Sequence, residues 1–324
     1  MAKEKKRRPW WLKILLGFTF SIGGIIALAI VAILTLNVAK YVIYMEYYAL
    51  REIVCTNHGM SDNYVSQGTA ITEDGKYVIT SGYMSDKTNS RIYITEIETD
   101  ETHYVSLHKE NGNAATYHFG GVATEDNLIY LASNDAIWTV KLDEALENDS
   151  LNITKLFEVN NQASFVFTDD DYIYVGEFND DKQYKTNNSY TYNGVTYKAI
   201  VEMYDRKNPT SPLKVLAIPN KIQGFAITPY GHILTSSSFG LTSSQFAYFM
   251  QDDIKETSDT MYGAQVFVLE TPFHVVSGPA MSEDLDFYDG KFYTNFESSC
   301  NKYIFGKFFL DSNKIVALDF EKFA

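Results

Sequence analysis

The hydrophobic pattern divides the chain in two. From Ile14 to Leu36 it is apolar and uncharged for 23 residues, whereas beyond about residue 50 apolar and polar positions alternate in short bursts separated by Gly, Asp and Asn. As a helix rising 1.5 Å per residue, the first segment reaches about 34 Å, enough to cross a hydrocarbon core of roughly 30 Å. The second pattern, with period two and turn residues between bursts, predicts strands.

Lys3, Lys5, Lys6, Arg7, Arg8 and Lys13 precede the apolar run, Trp10 and Trp11 flank it, and only Lys40 and Arg51 follow closely. The positive-inside rule then places the N-terminus in the cytoplasm and the bulk of the chain outside a cell membrane crossed once. The expected layout is a basic tail at 1–13, an anchor at 14–36, a juxtamembrane linker at 37–50 and an extracytoplasmic domain at 51–324. A cleaved secretory signal is the alternative, with Ala27 and Ala29 as small residues near a cut. The run is longer than the roughly 7–15 residues of a signal core.

Within the exported part a similar phrase recurs five times, at Gln67–Gly75, Gly120–Asn127, Ala163–Asp171, Gln223–Gly231 and Glu283–Gly290. Each reads as a short strand ending in a turn. A second strand follows each, at Tyr77–Ser81, Leu128–Ala132, Tyr172–Gly176, His232–Ser236 and Lys291–Asn295. Asp-Gly, Asp-Asn and Tyr-Gly at the joints tolerate the positive φ of tight hairpins. Third strands are expected at Arg91–Thr95, Ala136–Val140, Ala199–Met203, Ala264–Leu269 and Lys314–Leu318, and fourth strands at His103–Leu107, Ile153–Phe157, Leu213–Ala217 and Phe273–Val276.

Four antiparallel strands repeating every 40–60 residues describe the blade of a β-propeller. The chain thus predicts an all-β fold, a propeller of five four-stranded blades behind one N-terminal transmembrane helix, while Leu241–Tyr262 leaves room for a sixth. The fifth unit lacks a fourth strand and Glu52–Thr56 is unclaimed, so the N-terminal strand is expected to close the ring and hide its edges. Cys55 in that strand and Cys300 in the last unit form an even pair that export would allow to bridge.

Composition agrees with sheets: aromatic residues make up 15% of the chain, with 24 Tyr and 21 Phe. From Tyr41 onward 20 Lys plus Arg stand against 40 Asp plus Glu, a net charge of −20 that repels nucleic acid and favours basic partners or cations. Asn148, Asn152 and Asn187 begin N-glycosylation acceptor triplets. The polar, tyrosine-rich stretch Asn188–Tyr197 and the stretch Leu241–Tyr262 read as long loops suited to recognition.

In their glycine and polar-turn phrasing the repeats resemble the broad β-propeller superfamily and are similar to its NHL, lactonase-like and quinoprotein-like groups. Its members include hydrolases, lyases, sugar binders and scaffolds, so the resemblance implies architecture and leaves chemistry open. It also implies that the first strand of each blade lines a central channel. Gln67, His118, Gln162, Gln223 and Glu283 would then face a shared axial site, with Tyr83, Asn134, Glu177, Ser237 and Glu297 around its rim. Such a mixture suits a carbohydrate, a peptide or a cation. In a sharper form His118, Glu177, Glu283 and Glu297 would hold a divalent ion such as Ca²⁺.

Asp284-x-Asp286 is not an EF-hand loop, since Tyr288 and Asp289 stand where that loop needs an oxygen ligand and Gly. The sequence contains no G-x-S-x-G elbow, H-E-x-x-H helix, P-loop or helix-opening G-x-G-x-x-G. A surface-anchored binding module is therefore expected. A lactonase-like hydrolase or lyase and a structural subunit of an envelope complex are the alternatives.

Overall fold

The computed structural model describes residues 9–303, 306–309 and 311–323, so residues 1–8 of the expected basic tail lie outside the described residues. Two units meet at residues 45 and 46. In the first, helix α1 (Trp10–Ile43) follows Pro9, whose φ of −55° and ψ of 145° give an extended entry. Two polar side chains within it bond back one turn, Thr35 Oγ1 to Val31 O at 2.8 Å and Asn37 Nδ2 to Ile33 O at 3.0 Å. That pairs both side chains within the helix itself. The helix is long and apolar enough to cross a membrane, with the span at Ser21–Ile43. Val38, Ala39, Tyr41, Val42 and Ile43 prolong the apolar pattern, the helix continues through them into the stretch expected as a linker at 37–50, and a second helix, α2 (Met45–Leu50), follows.

The second unit is a five-bladed propeller. Blade 1 comprises Tyr64–Ile71, Tyr77–Met84, Arg91–Glu96 and Thr102–His108, with Ser150–Asn152 added in parallel outside. Blade 2 comprises Gly121–Glu125, Leu128–Ser133, Ala136–Lys141 and Thr154–Glu158. Blade 3 begins with Phe165–Thr168, Tyr172–Gly176, Ala199–Asp205 and Pro212–Ile218. Blade 4 comprises Ile222–Ile227, Ile233–Ser237, Ser244–Phe249 and His274–Gly278. Blade 5 comprises Ser282–Tyr288, Lys291–Phe296 and Lys314–Leu318, and Arg51–Thr56 completes it from the other end of the unit, as the repeat arithmetic required.

Blade 4 departs from expectation. Its third strand is Ser244–Phe249, which alternates buried Ser244, Phe246 and Tyr248 with half-buried neighbours and pairs Ile233 with Phe249. The stretch Leu241–Tyr262 thus supplies that strand rather than a sixth blade. Ala264–Leu269, expected in blade 4, instead runs parallel to Pro212–Ile218 on the outside of blade 3 and carries Ile254–Met261 beyond it. Tyr262 and Gly263, with φ of 54° and 82°, make the tight turn between these two outer strands. Asn188–Tyr197 likewise holds a hairpin, Tyr190–Tyr192 with Val195–Tyr197, whose tyrosines cover Ala217 and Val268.

The first strands of successive blades pack against one another in a closed ring, and the recurrent phrase explains how. In blade 1 Ser66 pairs with Gly82 and Gly68 with Ser81, leaving Gln67 as the extra residue of a β-bulge. Blade 4 repeats this with Ile222 opposite Ser237, Gly224 opposite Ser236 and Gln223 between. The glycine after each bulge lets the next blade approach. A Cβ at Gly68 would stand 2.6 Å from Val122 N, and one at Gly224 would stand 2.5 Å from Leu285 N.

The cysteine bridge expected from the pairing is absent, and both residues are buried free thiols. Cys55 packs with Ile71 and Val78, and Cys300 with Met60 and Val65. Ile71 and Val65 lie six residues apart on one strand, about 20 Å along the blade, so the two sulfurs belong to different levels of the fold.

Candidate functional site

At the end of the axis where the inner strands begin, all five blades line a cavity of about 770 Å³. Eight of the ten residues singled out from sequence are in its wall: Gln67, Tyr83, His118, Asn134, Gln162, Gln223, Glu283 and Glu297. Glu177 and Ser237 are not. Their successors Phe178 and Ser238 take the wall positions, because one step along an extended chain reverses the side chain. Glu177 is fully buried within blade 3, where it accepts from Asn188 Nδ2 at 2.8 Å. The four residues expected to hold a metal therefore do not converge. Among the described residues, the three-ligand grouping compact enough for an ion is Glu73, Glu125 and Asp126, away from this cavity.

The β-bulges aim the polar groups. Gln67 and Gln223 occupy the extra positions in blades 1 and 4, and in blade 5 Ser282 pairs with Phe296 and Leu285 with Thr294, so that Glu283 and Asp284 stand opposite Asn295. Glu283 turns into the cavity. Asp284 is fully buried beneath it, and its Oδ2 crosses the axis to accept from Val122 N of blade 2 at 3.0 Å. Asp286, further along the same strand, accepts from Ile71 N of blade 1 at 2.6 Å. These two buried carboxyl groups tie blade 5 to blades 2 and 1 beneath the cavity, a funnel with Glu283 and Glu297 at its floor.

A directed chain of hydrogen bonds crosses the funnel. His118 Nε2 lies 2.6 Å from Gln67 Oε1, and Gln67 Nε2 donates to Glu297 Oε2 at 2.8 Å and to Ser66 O at 3.0 Å. Because the amide NH₂ faces Glu297, its oxygen must accept from the histidine, which fixes the Nε2–H tautomer. The His118 ring is open to the cavity yet enclosed by protein; that enclosure, and then the charge of Lys302, lower its pKa to about 4, so the imidazole is neutral at pH 7.

Glu283 is 2% exposed and lies beside Glu297. Burial first, and then the neighbouring charges of Glu297 and Asp284, push its carboxyl well above the usual range. Burial also raises Glu297 to about 7, against the opposing pull of Lys302 and the hydrogen bonds from Gln67 and Tyr303. Two carboxyl groups in contact cannot both ionise readily, so at neutral pH they share a proton. Aromatic rings line the rest of the wall: those of Tyr83 and His118 lie 4.3 Å apart, and Phe178 faces Tyr184 and Phe239.

Sequence reading missed Lys302, Tyr303, Gln183, Tyr184 and Phe239, which reach the funnel from loops between the second and third strands. It passed over Asp284 and Asp286 after rejecting a calcium loop. Three acids within four residues of a strand otherwise predicted to be buried were the available signal.

No family model and no curated protein sequence matches this chain. Among solved structures it is similar to the PQQ-bound aldose sugar dehydrogenase of Streptomyces coelicolor, at 13% identity over 76% of this chain and 78% of that one, with a TM-score of 0.42. A nidogen/laminin complex matches at 13% identity over 72% and 73%, with a TM-score of 0.41. Hydrazine synthase of Kuenenia stuttgartiensis matches at 10% over 74% and 57%, with a TM-score of 0.36. By its own sheet topology the fold is a five-bladed β-propeller.

Proposed function

We propose that this protein is a membrane-anchored propeller whose funnel binds a small polar ligand, a saccharide or a short peptide, without transforming it. The observation that carries this reading is the funnel itself: about 770 Å³, drawn from all five blades, with side-chain amides and aromatic faces around a carboxyl floor. Ligand sites commonly have this size and this combination of apolar walls with a few aimed polar groups. The basic cluster before the apolar helix and the acidic composition after it support a cytoplasmic N-terminus with the propeller outside the cell.

Two features favour binding over hydrolysis. A histidine with a pKa near 4 is a weak general base at neutral pH. Glu283 and Glu297 are buried neighbours that each keep the other from ionising readily, which leaves neither as a ready carboxylate nucleophile at neutral pH. A Ca²⁺ site would have only these two carboxyl groups at the floor, since Glu177 lies elsewhere and Gln67 Oε1 is engaged by His118. Glycan and peptide arrays probed with the full chain in detergent test the reading. We expect specific binding that is weakened by Gln162→Ala or Phe178→Ala and unaffected by Ser237→Ala. Turnover of a bound sugar, lactone or ester that disappears in Glu283→Gln or His118→Ala would overturn it in favour of an enzyme.

A further inference from the structure

The funnel floor has acceptors in want of a donor. Glu283 is 2% exposed, lines the funnel and leaves its Oε1 without a hydrogen-bond partner. Glu297 beside it already accepts from Gln67. Beside them the chain's own ammonium already rests on aromatic faces of this wall: Lys302 Nζ lies 5.1 Å from the ring centroids of both Tyr83 and Tyr303 and donates to the Tyr83 hydroxyl. Among the described residues no carboxylate is within 4.0 Å of that ammonium. Carboxyl oxygens beside aromatic faces are the chemistry that recognises an organic ammonium, which offers three N–H donors and favours the π surface.

We propose that the ligand of this funnel carries a primary ammonium group, which donates to Glu283 Oε1 and to Glu297. This deepens the binding reading above and rests on it. The remaining wall amides, Asn134, Gln162 and Gln223, suit the neutral hydroxyl or amide groups of the same molecule, so an amino sugar and a peptide N-terminus present the shared chemistry. On binding, the ammonium keeps its protons and the carboxyl pair releases protons to the buffer. The titratable groups facing the pair are Asp284 below it, Cys300, Lys302, Tyr303 and Tyr83 beside it, and His118 beyond Gln67.

Calorimetry on the full chain in detergent decides the matter with two matched pairs of probes, a glucosamine trisaccharide and trialanine, each beside its N-acetylated form. We expect one free amine to bind at least about tenfold more tightly than its acetylated partner, as a charge-assisted hydrogen bond implies. At pH 6 its binding should release protons, read from the difference in heat between two buffers. Glu283→Gln should abolish both the preference and the proton release, and Lys302→Met should retain or increase the preference. Which amine binds separates the sugar from the peptide source. Equal or tighter binding of an acetylated probe overturns the ammonium assignment and leaves the funnel reading in place, and binding of none of the four counts against both. If Glu283→Gln fails to fold, the acetylation contrast and the proton count on the unaltered chain still decide.

Discussion

Blades 4 and 5 carry the same β-bulge at the same level of the axis and fill it differently. Blade 4 has Gln223-Gly224, where the missing side chain admits the backbone of Asp284 and Leu285. Blade 5 has Glu283-Asp284, where one carboxyl reaches the funnel and the other spans the axis to blade 2. The glycine serves the ring, whereas the acids break its approximate fivefold repetition and supply the floor on which a ligand can rest. A repeat protein can thus acquire a site by altering two residues in one copy of a shared backbone feature.

The strongest way to break this contrast is to close the gap in blade 4. Gly224→Val would place its Cβ 2.5 Å from Leu285 N, against backbone that cannot swing aside. It should destabilise the propeller by at least about 3 kcal/mol, measured by denaturant unfolding. A wild-type midpoint would mean that blades 4 and 5 separate without cost. In blade 5, Asp284→Ala should cost about 1–3 kcal/mol by leaving Val122 N–H without its acceptor, while Asp284→Asn keeps an acceptor oxygen and should cost less.

Proton linkage sharpens the comparison further. Burial raises Asp286 from 3.8, and Glu297 and Glu177 from 4.5, each to about 7. Between those values the folded chain holds protons that the unfolded chain has released, so these groups make stability fall as pH rises from about 4 to about 7. His118, lowered to about 4, acts in the opposite direction over part of that range. We expect a lower melting temperature at pH 7.5 than at pH 5, with a shallower decline in Asp286→Asn. A melt that rises steadily over this interval would show that these buried carboxyl groups ionise freely. The smallest effect belongs to Gln223→Glu, which gives blade 4 the carboxylate of blade 5 at a half-buried position; the melting curve should move by no more than about 1 kcal/mol in equivalent stability.

Much of this architecture was legible because propeller repeats write themselves in turn chemistry. Asp74-Gly75, Asp126-Asn127 and Asp289-Gly290 all include positive φ at their joints, and Asp169 makes its turn by accepting from Asp171 N and Tyr172 N instead. The third strand of blade 4 was misplaced because both Ser244–Phe249 and Ala264–Leu269 have strand character, and only tertiary packing decides which joins the blade. The site was readable where a repeat position determines direction, as at Gln67, Gln223 and Glu283. It failed at Glu177 and Ser237, where a one-residue error along a strand exchanges the cavity for the blade interior. Lys302 and Tyr303 could not be placed, since loops carry no periodicity to orient them.

The strand that completes blade 5 also sets a timetable. Arg51–Thr56 is the first strand of the propeller to be synthesised, yet Lys314, whose Nζ bonds Thr56 Oγ1, follows 258 residues later. At about 5–20 residues per second, the ribosome needs some tens of seconds to span that interval. Throughout it, the strand remains an unpaired edge that a neighbouring chain could capture. When Lys314–Leu318 arrives, closure joins the earliest and latest parts of the unit in one step, so a chain halted shortly before it would hold nearly all of its blades and still lack the seam that makes them a ring.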